Sequence, residues 1–191
     1  MPWDGTELWV SKLDATGSII EKEKVAGGVD ESIFQPEWSP QGELYFVSDR
    51  TGWWNIYRWK DGKIHPLCPM EAEFGQPHWV FGGSLYAFAS TTRIVCTYSL
   101  NGHDRLAILD TGTNKLNAIE VPFTTISQLR VLGSRVVFIG ASATETTSIV
   151  SLDLATKSFE ILRRSRDTAV DAGYLSRAQA VEFPTENGLT S

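Results

Sequence analysis

Two short stretches set an aromatic ring beside a carboxylate: Trp3-Asp4 in MPWD and Glu73-Phe74 in EAEFG. A carboxylate against an aromatic wall attracts an organic ammonium by charge and by cation–π contact; the same side chains serve equally as loop caps or contacts between domains. A third stretch, SDRTGWWNIYRW (48–59), places Trp53 and Trp54 side by side in what reads as a β-hairpin. Each ring either packs against a neighbouring layer or lines a surface that meets a ligand, and Asp49 can bond the backbone of the adjacent turn. Acyl-transfer machinery is not visible. FGGSLY and VLGSRV both fail the Gly-x-Ser-x-Gly pattern of an exposed nucleophile, and triad chemistry requires an activated nucleophile and an oriented base. His65, His78 and His103 follow no metal-ligand spacing, and Cys68 and Cys96 stand alone. No metal, no cofactor and no disulfide framework is expected.

The elements that must position these residues belong to one substantial domain. The chain has 191 residues, 42% of them hydrophobic and 21% charged, with seven Trp, nine Phe and five Tyr. That composition is globular rather than disordered or fibrous. Seventeen basic and 23 acidic residues leave a net charge of −6. The one basic cluster, Arg163-Arg164-Ser165-Arg166, runs straight into Asp167. A nucleic acid or an anionic membrane, which needs a concentrated basic face, is not an expected partner. No apolar stretch approaches the ~20 residues of a membrane span, and MPWDGTELWV lacks the basic and apolar regions of a signal peptide. The expected location is cytoplasmic.

The chain repeats itself. FQPEWSPQGELYF from Phe34 matches FGQPHWVFGGSLYAF from Phe74, pairing Phe34 with Phe74, Pro36 with Pro77 and Trp38 with Trp79. A second register joins ELWVSKLDATGS, NIYRWKDGK, RLAILDTGTNK and SIVSLDLATKS, with Leu8, Ile56, Leu106 and Ile149 in corresponding places. A period of roughly 43 to 50 residues with several short strands per unit is that of a propeller blade. LYFVS, RIVCTYS and RVVFIGAS are rich in β-branched and aromatic residues. Asp61-Gly62 and the Thr-Gly of DTGTN suit tight hairpins through the positive φ that Gly tolerates. Only Tyr174–Val181 reads as a short helix.

The expected fold is therefore all-β, a partial β-propeller of about three and a half four-stranded antiparallel blades. Residues 1–30 form the half blade; 31–70, 71–122 and 123–165 form full blades; 166–191 form a linker. With strands lettered A to D from the axis outward, Thr51–Trp54 joins strand B to strand C. The B–C and D–A connections share one face, where Met1–Thr6, Asp30–Gln35, Thr51–Trp54 and Glu71–Gly75 gather and where the chain leaves its last strand. Such an arc is too short to close a ring and leaves open faces and strand edges that invite self-association.

WSPQGELYFVSDRTGWWNIYRW resembles the propeller repeat of the prolyl oligopeptidase family of serine peptidases and of TolB-like propellers. MPWDGTELWV, ESIFQPEWSP, EAEFGQPHWVFG and EFPTENGLTS, in that order, are similar to its acylaminoacyl-peptidase and dipeptidyl-aminopeptidase branch. The resemblance covers the chain from Met1 to Ser191. It implies the C-terminal part of a peptidase propeller without the catalytic α/β-hydrolase domain, since neither the nucleophile elbow nor a His-Gly-Gly-Gly segment is present. It further implies a non-catalytic module that admits short peptides to a separate hydrolase site. The substrate-channel or interdomain candidates are then Trp3, Asp4, Trp53, Glu73 and Phe74, and the ammonium they suit is a peptide N-terminus. The family's dipeptidyl-peptidase branch holds that amine with propeller carboxylates, but this chain has no pair of adjacent glutamates to match. The alternative is a stand-alone TolB-like propeller serving as a binding scaffold.

Overall fold

The structure, a computed structural model, describes residues 1, 3–167, 170–179 and 181–188. Short β-branched and aromatic runs broken by polar turns fold into fourteen strands among the described residues. β1 (Glu7–Leu13) and β2 (Ile19–Gly27) form a two-stranded sheet. β3 (Ile33–Trp38), β4 (Leu44–Ser48), β5 (Asn55–Lys60) and β6 (Lys63–Pro66) form the second sheet. β7 (Tyr86–Phe88), β8 (Arg93–Leu100), β9 (His103–Asp110) and β10 (Lys115–Ile119) form the third; β11 (Thr125–Leu132), β12 (Arg135–Ala141), β13 (Ser148–Asp153) and β14 (Phe159–Arg164) form the fourth. Neighbours in each sheet are consecutive in sequence and antiparallel, the meander of a propeller blade. The fold is all-β and a partial propeller, as the repeats imply.

Side-chain alternation explains the stacking, because successive residues of a strand face opposite sides. On β4, Leu44 and Phe46 enter a core shared with Leu8 and Val25 of the first sheet. Tyr45 and Val47 enter the core shared with Tyr86, Cys96 and Leu109 of the third. On β8, Ile94, Cys96 and Tyr98 look back toward the second sheet, while Val95 looks forward to Phe138 and Val150 of the fourth and to Phe123 just before it. Burying one such side chain contributes roughly 1.5–3 kcal/mol, so each sheet is held by its neighbours more than by its own turns.

The turns at one end of the sheets use a repeated carboxylate. Asp110 Oδ1 accepts hydrogen bonds from the Gly112 and Thr113 N–H groups and the Thr113 hydroxyl; Asp153 Oδ1 does the same with Ala155 and Thr156. Asp14 Oδ1 serves Thr16 and Ser18. Asp61 and Gly62 both take positive φ, the two-residue hairpin their types imply. In DTGTN, however, the positive φ falls on Asn114, not Gly112. The Asp110 carboxylate organises that turn, and Asn tolerates the left-handed conformation.

One expected register fails. Ser48 pairs with Asn55 and Tyr98 with Arg105, each just before the repeat-setting Ile56 and Leu106. Ile33 pairs with Ser48, and the Glu73–Ser99 bridge sets Phe74 against Tyr98, whose ring it stacks at 5.0 Å. Phe74 is thus the equivalent of Ile33 rather than Phe34. A one-residue slip reverses the face, so Phe34 and Phe74 enter the same core from opposite sides. Further along, β3 and β11 carry bulges at Gln35 and Gln128, both with positive φ. The third sheet opens instead into an excursion over 75–84, closed where the Leu85 carbonyl accepts the Thr97 N–H at 2.8 Å. Pro77 and Trp79 lie on that excursion and have no counterpart in Pro36 and Trp38.

The expected helix over Tyr174–Val181 is also absent. A 3₁₀ turn at Ala172–Tyr174 is followed by irregular chain to Gln179, and Ala180 lies outside the described residues. A segment of eight residues is too short to offset the cost of nucleating a helix.

Candidate functional site

The connections β2–β3, β4–β5, β6–β7, β10–β11 and β12–β13, with the segment before β1, gather at the end of the sheets opposite the Asp-capped turns. A repeated hydrogen bond draws them together. Two residues before Leu8, Ile56 and Leu106 stand Thr6, Trp54 and Asp104. Thr6 Oγ1 accepts the Ile33 N–H at 2.7 Å and Asp104 Oδ2 accepts the Ile126 N–H at 2.8 Å. Trp54 has no acceptor in its side chain, and its carbonyl takes the Phe74 N–H at 2.7 Å instead. Each bond fastens the first strand segment of one sheet to the start of β1, β5 or β9 in the sheet before it.

The Ser-Asp-Arg stretch adds a second fastening. Asp49 Oδ1 accepts the Ser32 N–H, while the Ser48 hydroxyl and the Arg50 guanidinium both donate to the Glu31 carboxylate. Arg50 also lies 5.3 Å from the Tyr57 ring centre. Burial pushes the Glu31 carboxyl up, but the hydrogen bonds from Arg50 and Ser48, the Arg50 charge and the Gly27 N–H outweigh it and hold it below its ordinary value.

The adjacent tryptophans have different surroundings. Trp54 is half-buried, with Phe34 at 6.1 Å and His78 at 6.4 Å between ring centres. Gly75 must be glycine here, because a Cβ would overlap the Trp54 ring. Trp53 remains exposed on the rim. Trp3 is half-buried against Trp79, their ring centres 4.6 Å apart. Asp4 is exposed and paired with the Met1 ammonium at 3.0 Å. Glu73 accepts the Trp54 N–H on Oε2 at 2.9 Å, so it fastens the β4–β5 loop. Phe74, at 1% exposure, is a core residue between the second and third sheets. The structure therefore joins Glu73 to the Trp53–Trp54 loop and Trp3 to Trp79, and Pro2 of MPWD lies outside the described residues.

Sequence reading missed the excursion over 75–84 as a feature of this rim. It crosses from the third sheet over the start of β3, where His78 contacts Phe34 and bonds the Ile33 carbonyl, and reaches Trp3. Trp79, Val80 and Phe81 are exposed on it. Its only sequence signal is a run of three large apolar residues followed by Gly82-Gly83. Behind it, buried Gln35 spans two sheets, accepting the Leu85 N–H and donating to the Tyr86 carbonyl, both at 2.7 Å.

The chain leaves β14 at this same end, with the Ser165 N–H donating to the Thr147 carbonyl at 2.8 Å. It then folds across the β12–β13 connection. A cleft of about 430 Å³ lies between Thr144–Thr146 and Arg164, Arg166 and Leu175. A smaller one of about 290 Å³ involves His103, Thr144 and Arg177. Among the described residues, neither holds a nucleophile oriented by a base.

No family model matches the chain, and no curated protein does. Solved structures do. A puromycin-hydrolysing peptidase from Mycobacterium tuberculosis matches 100% of this chain with a TM-score of 0.91 and 35% identity. Prolyl oligopeptidase B from Galerina marginata matches 98% of it with a TM-score of 0.67 and 16% identity, and TolB from Acinetobacter baumannii matches 80% with a TM-score of 0.60 and 18% identity. The matched region is 29%, 26% and 37% of those chains, respectively. The chain thus spans less than a third of the length of the peptidases it resembles, and its fold is similar to a propeller portion of such peptidases, prolyl oligopeptidase B among them.

Proposed function

We propose that the chain is the non-catalytic propeller part of a serine peptidase and gates the access of short peptides to a separate α/β-hydrolase active site. The observation that carries this reading is the match, over the whole chain at 35% identity, to part of a puromycin-hydrolysing peptidase. The rim geometry supports it. Trp3, Trp53, Trp79, Val80 and Phe81 present apolar surface at the end from which the chain departs β14, and a hydrolase domain docks on that rim. Gating acts by exclusion: stacked blades bound a cavity that folded proteins do not enter. Asp4, exposed on the rim and already holding an ammonium, that of Met1, at 3.0 Å, is the better candidate for a substrate amine, because Glu73 is engaged with the Trp54 N–H. The TolB likeness, at 18% identity, shows shared fold alone.

The test is a series of peptides of increasing length, with a folded protein of the same cleavable sequence, assayed with the enzyme that contains this chain. The reading expects kcat/KM to fall by about 100-fold or more, roughly 3 kcal/mol, between a short peptide and the folded protein. Equal turnover of both would refute gating.

A further inference from the structure

A polar cavity between the third and fourth sheets is left unexplained by gating. Glu73 bridges Ser99, and Ser99 pairs with Asp104, so three residues on three neighbouring segments stand in one row. Directly opposed residues share a face, with Cβ atoms about 4.5–5.5 Å apart. Thr97, two residues along β8, faces the same way. That face looks toward the fourth sheet, since Val95 and Leu106 on it enter the core with Phe138 and Val150. These four residues and Ile126 line a cavity of about 170 Å³.

Its chemistry is unbalanced. Glu73 Oε2 and Asp104 Oδ2 each accept one backbone N–H, but among the described residues neither carboxylate has a Lys, Arg or His within ion-pair distance. Thr97 is 2% exposed and lines the cavity, yet its hydroxyl has no hydrogen-bond partner. A buried hydroxyl without a partner is unfavourable, so an occupant that accepts an oxygen ligand is favoured there.

We propose that Glu73, Asp104, Ser99 and Thr97 form a site for a hydrated divalent cation of the Ca²⁺ type. Every side-chain donor in this set is an oxygen, which selects hard cations over transition metals. Two uncompensated carboxylates match a divalent charge, whereas an organic ammonium leaves one of them unbalanced. Because liquid water occupies about 30 Å³ per molecule, the cavity has room for an ion and several waters. Those waters are needed: among the described residues no three His, Cys, Asp or Glu side chains converge. Ca²⁺ accepts such irregular, partly aqueous coordination, and Mg²⁺ holds to a strict octahedron. The site is independent of the gating proposal.

The experiment is thermal unfolding of the full chain with about 10 mM CaCl2, MgCl2 or methylammonium chloride, each against NaCl of equal ionic strength. Terbium luminescence sensitised by tryptophan is the second readout. For a dissociation constant near 1 mM, Ca²⁺ raises Tm by roughly 3–6 °C, and Tb³⁺ emission appears and is displaced by Ca²⁺. Both effects are lost in Glu73→Gln/Asp104→Asn, whose amide oxygens still accept the Trp54 and Ile126 N–H groups and preserve the fold. Thr97→Val, similar in shape, weakens Ca²⁺ binding several-fold. No Ca²⁺ effect beyond NaCl, an effect that survives the double substitution, or a response to methylammonium alone would each overturn the proposal.

Discussion

At the scale of single residues, position in the repeat decides what a side chain does more than its type. Trp53 and Trp54 are chemically identical neighbours, but only Trp54 stands beside the Phe34 and His78 rings. Asp14, which is exposed, and Asp110 and Asp153, which are half-buried, lead into turns, and their carboxyls are held below their ordinary value of 3.8. The main cause is the Thr16 hydroxyl at Asp14 and the backbone N–H groups of Thr113 at Asp110 and Thr156 at Asp153. A lowered native pKa gives stability that is complete above the unfolded value, about 4, and is lost as pH falls through the native one. Asp110→Asn/Asp153→Asn is therefore expected to melt lower than the wild type at pH 7. Its Tm should also fall less between about pH 4 and 2.5, as read by circular dichroism. Parallel Tm–pH curves for the two proteins would show that these carboxylates do not act through their charge.

Among the elements, the bond from position 6, 54 or 104 to the next sheet is the recurrent device. Thr6→Val keeps the shape of the side chain but leaves the Ile33 N–H without its acceptor. A loss of about 1–2 kcal/mol is expected in urea denaturation, with an unchanged m-value. A loss below about 0.3 kcal/mol would mean that water replaces the bond. The sequence made the sheets legible because hydrophobic alternation and the Leu8, Ile56, Leu106 and Ile149 register depend on local pattern. It did not reveal these bonds, since Thr, Trp and Asp at one structural position form no recognisable motif: Thr6 and Asp104 accept through a side-chain oxygen, but Trp54 uses its backbone. The excursion over 75–84 was hidden for another reason. Its Pro77 and Trp79 imitate the spacing of Pro36 and Trp38, and only the ladder through Glu73 and Leu85 exposes the difference. Of the candidate site, the aromatic and acidic residue types were readable; whether each was buried, engaged or free was not. Phe74 in the core and Glu73 on the Trp54 N–H depend on partners distant in sequence.

Taken as a whole, the molecule is a stack whose inner members are covered and whose ends are not. Leu8, Ile56 and Leu106 are buried by the sheet that follows each, whereas Ile149 in the same place is 44% exposed. At the other end Trp9, Ile19 and Ile20 of the first sheet are exposed as well. Uncovered sheet faces of this kind favour association with another blade or a second copy. Sedimentation of the chain at about 50 μM is expected to show species heavier than 21.2 kDa, and Ile149→Lys should shift them toward monomer while the far-ultraviolet spectrum stays unchanged. A wild-type chain that sediments purely as monomer would place the open faces among tolerated surfaces.

The central claim is that this propeller portion serves a serine peptidase. The most direct measurement detects the protein in its native cell with an antibody against this chain and asks whether the same band labels with a serine-reactive fluorophosphonate. The account predicts one labelled band several times heavier than 21.2 kDa. An unlabelled band at 21.2 kDa would contradict it and leave the arc as a propeller that acts without a hydrolase.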